Sequence, residues 1–103
     1  MSDAVEFYWR PGCPFCIALR SGLRRSAIPV REVNIWENPA AAARVRRVAH
    51  GNETVPTVFV GEHALVNPSI RQVIDLVRQA APQLLEQAEQ DHTRRRFWPF
   101  SSA

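Results

Sequence analysis

Apolar positions along the chain change their spacing several times, and each change marks an expected element. The run Val5-Glu6-Phe7-Tyr8-Trp9 is rich in aromatic and β-branched residues and predicts a first strand, broken by Arg10-Pro11-Gly12. Phe15, Leu19 and Leu23 then recur at i, i+4 and i+8, the apolar face of a helix from about Pro14 to Ser26. After Pro29 a second strand is expected over residues 30–35, with Val33 and Ile35 apolar. Asn38-Pro39 is an N-cap followed by proline in the first turn, and Ala41, Val45, Val48 and Ala49 supply the face of a second helix closed by Gly51-Asn52. Two short strands, Thr57 to Val60 and Ala64 to Val66, flank a tight turn at Gly61-Glu62. Asn67-Pro68-Ser69 opens a third helix whose stripe Ile70, Val73, Ile74, Val77 has the spacing of a core-facing surface.

The expected order is β-α-β-α-β-β-α. A helical crossover makes the first two strands parallel, and the short link makes the last two an antiparallel hairpin. The predicted fold is α/β: a mixed four-stranded sheet with helices on both faces, occupying residues 1–81. Pro82 interrupts the third helix, residues 82–91 are expected to form a short extra helix, and residues 92–103 a flexible basic-aromatic tail.

Composition narrows the function. A chain of 103 residues suits one domain, and its 46% apolar content supports a packed core. No stretch approaches the roughly 18 apolar residues of a membrane span. Met1 to Glu6 lacks the basic and apolar regions of a signal peptide, so a cytoplasmic location is expected. All 13 basic residues are arginine, which with the many alanines agrees with a GC-rich bacterial source. A net charge of +3 is too small to announce nucleic-acid binding, and Arg44, Arg46 and Arg47 read as a solvated helix face. Arg94-Arg95-Arg96-Phe97-Trp98-Pro99-Phe100 reads either as a disordered terminus or as a segment docking to a membrane surface or a partner.

The chain has two cysteines, two residues apart, in Cys13-Pro14-Phe15-Cys16. A cytosolic pair is a poor structural staple, and its bridge would close too short a loop to constrain the chain. Structural zinc wants four ligands; a second pair is missing, and His50 and His63 do not fit a finger spacing. No metal or bound cofactor is expected, and redox chemistry remains. The attacking group must be a thiolate, and Cys13 at a helix start would meet unpaired N–H groups and the positive end of the helix dipole. Pro14 fits a first turn, and Arg10 can add positive charge beside the sulfur. Cys16, a turn further in, should be more buried with a higher pKa. The expected roles are Cys13 as nucleophile and Cys16 as resolving thiol.

The run from Tyr8 to Cys16 resembles the active site of glutaredoxins, whose common form is CPYC with a basic residue shortly before it. Thr54-Val55-Pro56 looks like the family's TVP segment, which ends in a cis-proline facing the catalytic cysteine, here 39 residues after Cys16 counted to Val55. The resemblance covers about residues 4 to 81 and implies a thioredoxin fold of glutaredoxin size. Residues 51–58 and Asn67-Pro68-Ser69 are similar to the actinobacterial mycoredoxin branch, whose small thiol is mycothiol. Glutathione-binding members usually carry a Gly-Gly or Gly-Cys-Asp-like segment where this chain has Leu65 to Ser69.

Two readings of several residues stay open. Pro56 either exposes the Val55 backbone to a thiol substrate or merely starts a strand. Asn67 and Ser69 are either an ordinary cap or a site for a carboxylate or sugar hydroxyl. Trp9 and Phe15 either rim a thiol groove or, for Trp9, fill the core; Trp36 reads as packing. The expected function is a monomeric oxidoreductase reducing mixed disulfides between proteins and a low-molecular-weight thiol, mycothiol or glutathione. The alternatives are an electron donor fed by a flavoprotein reductase, and an iron–sulfur carrier sharing a 2Fe–2S cluster between subunits.

Overall fold

β-Branched and aromatic residues build β1, Val5–Trp9, the strand around which the sheet assembles. The structure is a computed structural model and describes residues 3–97. After β1 come α1 (Pro14–Ser26), β2 (Val30–Asn34), α2 (Pro39–Val48), β3 (Thr57–Val60), β4 (His63–Val66), α3 (Ile70–Ala80) and α4 (Pro82–Phe97). The sheet order is β2-β1-β3-β4, with β1 parallel to β2 and antiparallel to β3, and β3 antiparallel to β4. The expected α/β arrangement is therefore present, with β4 starting one residue earlier and β2 ending one earlier than the sequence suggests.

The pleat of β1 sends alternate residues to opposite helical layers. Phe7 and Trp9 face α1, where the Arg20 guanidinium lies 5.5 Å and 4.5 Å from their ring centroids. Glu6 and Tyr8 face α2, where Arg44 donates to the Glu6 carboxylate at 2.9 Å and to the Tyr8 hydroxyl at 2.7 Å. The same guanidinium sits 3.9 Å from the Phe59 ring centroid. The reading of Arg44 as part of a solvated face is thus corrected: α2 lays its long aliphatic stem over the sheet, and an acidic residue on β1 compensates the charge. Arg46 and Arg47 are exposed.

Small residues let the other layer close up. Gly22 of α1 meets Ile70 of α3 so tightly that a Cβ at position 22 would lie 3.0 Å from the isoleucine. The buried stripe of α1 is Cys16, Leu19, Gly22 and Leu23. Phe15, expected in that stripe, is instead 67% exposed in the first turn of α1.

Helix α4 contributes to the same core. Ala81, Leu84 and Ala88 are 1%, 0% and 6% exposed, so packing continues past the boundary expected at residue 81. The helix runs to Phe97, six residues beyond its expected end, since no glycine or proline interrupts the chain between Pro82 and Pro99. Residues 98–103 lie outside the described residues, as do the side chains from Asp91 onward, and with them the reading of a flexible, docking tail. No helix among the described residues is long and apolar enough to cross a membrane.

Candidate active site

Cys13 follows the break after β1 and caps α1. Its backbone is extended, with φ −95° and ψ 110°, and its Sγ accepts the Cys16 backbone N–H at 3.3 Å. A sulfur in the N-cap position takes the place of the usual serine or aspartate oxygen, and the helix dipole favours negative charge there. Pro14 occupies the first helical position, where its missing N–H costs no hydrogen bond. Gly12, at φ 75°, makes the left-handed turn that delivers Cys13 to this place.

The second wall comes from the loop before β3. The Val55–Pro56 peptide is cis, as the resemblance implies, and the Cys13 thiol donates to the Val55 carbonyl at 3.8 Å. Thr57, fully buried, donates its hydroxyl to the Thr54 carbonyl at 2.7 Å and so braces the loop. The Asn67 N–H donates to the Pro56 carbonyl at 2.8 Å, tying the start of α3 to the same wall. Val55, 42 positions along the chain, thus stands against Cys13, and its loop is held by Thr57 and Asn67.

The two cysteines differ. Cys13 is 4% and Cys16 1% exposed, and both are free thiols. Burial, reinforced by the hydrogen-bonding contact with Cys13, pushes the Cys16 thiol from its ordinary 9.0 up to about 12. The Arg10 backbone and charge act in the opposite direction on Cys16 and do not offset that rise. A raised pKa holds Cys16 protonated from neutral pH to beyond pH 10. With iodoacetamide at pH 7 to 9, the reduced protein should therefore gain one adduct, on Cys13, located by mass spectrometry of its peptides. Cys16 should label only near pH 12 or after unfolding; labelling of Cys16 first would contradict the assignment.

Beside the pair, Phe15, Ala18, Leu19, Asn67, Pro68, Ser69 and Ile70 line a cavity of about 210 Å³. Ser69 is the N-cap of α3 in a capping box: its hydroxyl accepts the Gln72 N–H, and its own N–H donates to the Gln72 side chain. The Ser-x-x-Gln spacing announces that box, so Gln72 was findable from sequence. Asn67 is exposed and holds a left-handed backbone, φ 52°, which asparagine tolerates. Trp9 is not in this lining. It lies under Arg20 with its indole N–H buried and unbonded. Arg20 is in turn held by Glu32 at 3.0 Å, a contact that no local spacing reveals. Trp36, expected to pack, is 63% exposed. Among the described residues no three His, Cys, Asp or Glu side chains gather into a metal site.

Comparison with known proteins bears on the family and the fold. The glutaredoxin family profile matches residues 5–65. A Mycobacterium tuberculosis protein assigned to the glutaredoxins is 41% identical over 74 residues, 71% of this chain and 88% of its own length. The crystal structure of a glutaredoxin from Archaeoglobus fulgidus superposes with TM-score 0.63 at 22% identity, covering 76% of this chain and 88% of that one. The NrdH-redoxin of Escherichia coli, described as glutaredoxin-like with a thioredoxin-like activity profile, superposes with TM-score 0.56 at 22% identity, over 68% and 93%.

Proposed function

The chain belongs to the glutaredoxin family of thiol–disulfide oxidoreductases, and we propose that it reduces mixed disulfides between proteins and mycothiol in the cytoplasm. The observation that carries this reading is the asymmetry of the pair: one sulfur caps the helix and meets the Val55 carbonyl, while the other, a turn further in, is held protonated by its burial. The Cys13 thiolate attacks the sulfur of the small thiol in the mixed disulfide. A bond forms between those two sulfurs, the bond to the protein breaks, and the protein leaves as a thiolate that takes a proton from water. A second small thiol then attacks the intermediate, releases the symmetrical small disulfide and restores Cys13. Cys16 offers a second exit by bonding to Cys13. Arg10 and the first-turn amide supply positive potential near the sulfurs, while Phe15, Asn67 and Ser69 border the small thiol and the Thr54–Pro56 loop backs it.

The cavity favours mycothiol over glutathione. None of its lining side chains is charged. Glutathione brings two carboxylates that would enter it without a cationic partner, whereas the sugar hydroxyls of mycothiol need neutral donors and acceptors of the kind Asn67 offers. The similarity of residues 51–58 and 67–69 to the mycoredoxin branch supports the same choice.

The test is turnover of one protein mixed disulfide with three electron sources: mycothiol, glutathione and a thioredoxin-reductase system, each kept reduced. Mycothiol should give the highest kcat/KM, by about tenfold, equivalent to ~1.4 kcal/mol of transition-state discrimination. Equal or faster turnover with glutathione would overturn the choice of thiol, and turnover with the flavoprotein reductase alone would overturn the small-thiol route.

A further inference from the structure

Large exposed apolar side chains are not scattered over this molecule. Among the described residues there are four, Phe15 (67% exposed), Trp36 (63%), Ile17 (60%) and Val66 (41%). Sheet register and the start of α1 place all of them toward one end. Trp9 pairs with Asn34, two residues before Trp36; Tyr8 pairs with Thr57, which pairs with Val66. Cys13 lies just past the same end of β1, and Phe15 and Ile17 are in the first turns of α1 behind it. An indole in water forfeits the burial of a large apolar surface, so its exposure at the end of the sheet that carries the reacting thiol calls for a ligand.

The strand order separates the two flanks of Cys13. The cavity of Phe15, Asn67 and Ser69 leads from β4 into α3, whereas Trp36 follows β2, the opposite edge strand. Trp36 is also held in place. Its backbone N–H donates to the Asn34 side chain at 2.9 Å, the Glu37 N–H donates to the Asn34 carbonyl at 3.1 Å, and the Ile35 N–H donates to the Trp9 carbonyl at 2.9 Å. The turn is thereby fastened to β1, four residues before the nucleophile.

We propose that Trp36 is the docking residue for the protein half of the mixed disulfide, and that it selects partners whose cysteine is flanked by apolar residues. The inference rests on the reduction of mixed disulfides proposed above, and the chemistry itself names the occupant. Thiol–disulfide exchange aligns the attacking, central and leaving sulfurs, which brings the partner's cysteine within roughly 10 Å of Cys13. The small thiol fills the α3 flank and so leaves the β2 flank, which carries Trp36, for the residues beside that cysteine. A preformed aromatic surface there gains affinity from apolar neighbours and none from small polar ones.

The experiment uses two synthetic peptides, one with leucine on both sides of its cysteine and one with serine, each as its mixed disulfide with mycothiol and with glutathione. The wild-type protein should prefer the leucine peptide, and Trp36→Ala should lower that preference about fivefold through KM. Trp36→Phe should restore most of it. An unchanged preference, or equal losses on both peptides, would overturn the proposal. If neither thiol supports turnover, the proposed function fails, and docking is read separately. Each peptide is then joined to Cys13 of the Cys16→Ser protein through an activated disulfide, and the indole N–H resonances are followed by NMR. The leucine peptide should shift the Trp36 resonance and the serine peptide leave it in place; no shift with either overturns the proposal.

Discussion

Cys13→Ser should abolish reduction of a protein mixed disulfide, a loss of about a thousandfold or more, while Cys16→Ser keeps most of it. Losses of that order follow when the group that forms the covalent intermediate is removed. The serine oxygen would still cap α1 by accepting the Cys16 N–H, so the fold should survive and the loss be chemical. Cys16 enters only the second exit, in which its thiol displaces product from Cys13, and a second molecule of small thiol bypasses that step. Steady-state turnover of both variants, with circular dichroism to verify folding, decides the matter. Persistence of turnover without Cys13 would exclude the mechanism. Loss of turnover without Cys16 would instead favour a dithiol donor fed by a flavoprotein reductase.

Leu84→Ala should destabilise the protein by about 2–5 kcal/mol, the range for deleting a fully buried leucine side chain and leaving a cavity. Leu84 is 0% exposed although it lies beyond the segment that carries the family pattern, and its N–H donates to the Ala81 carbonyl at 3.0 Å in the first turn of α4. Domains of this size have only about 5–15 kcal/mol in total, so the variant should unfold at markedly lower urea concentration. Gln87→Ala, on the exposed side of the same helix, should change stability by no more than about 0.5 kcal/mol. Equal midpoints for Leu84→Ala and Gln87→Ala would mean that α4 adds nothing to the core.

Arg44 and Trp36 show where local pattern misleads in opposite directions. Arg44 shares a helix with exposed Arg46 and Arg47, so charge alone assigns it to solvent. Its fate depends on Glu6, Tyr8 and Phe59, brought together only by β1–β3 pairing and the crossing of α2. Trp36 has the size of a core residue, and although β2 is expected to end before it, nothing local says that the following turn faces it outward. Helix α4 is a third instance: its periodicity is weak, and the burial of Leu84 and Ala88 depends on the shelter offered by α3.

By itself the sequence determined the elements, their order, the family and the cysteine pair. These are set by information within a few residues: apolar period, turn and cap chemistry, and a two-residue spacing that admits few uses. Tertiary structure decided which groups face the sulfur. Val55 reaches Cys13 because β3 lies beside β1, and Asn67 joins the wall because β4 returns along β3. It also decided how unlike the two thiols are. Cys13 caps α1 while Cys16 sits one helical turn further in, and desolvation, which depends on every layer packed around a group, holds that inner thiol protonated.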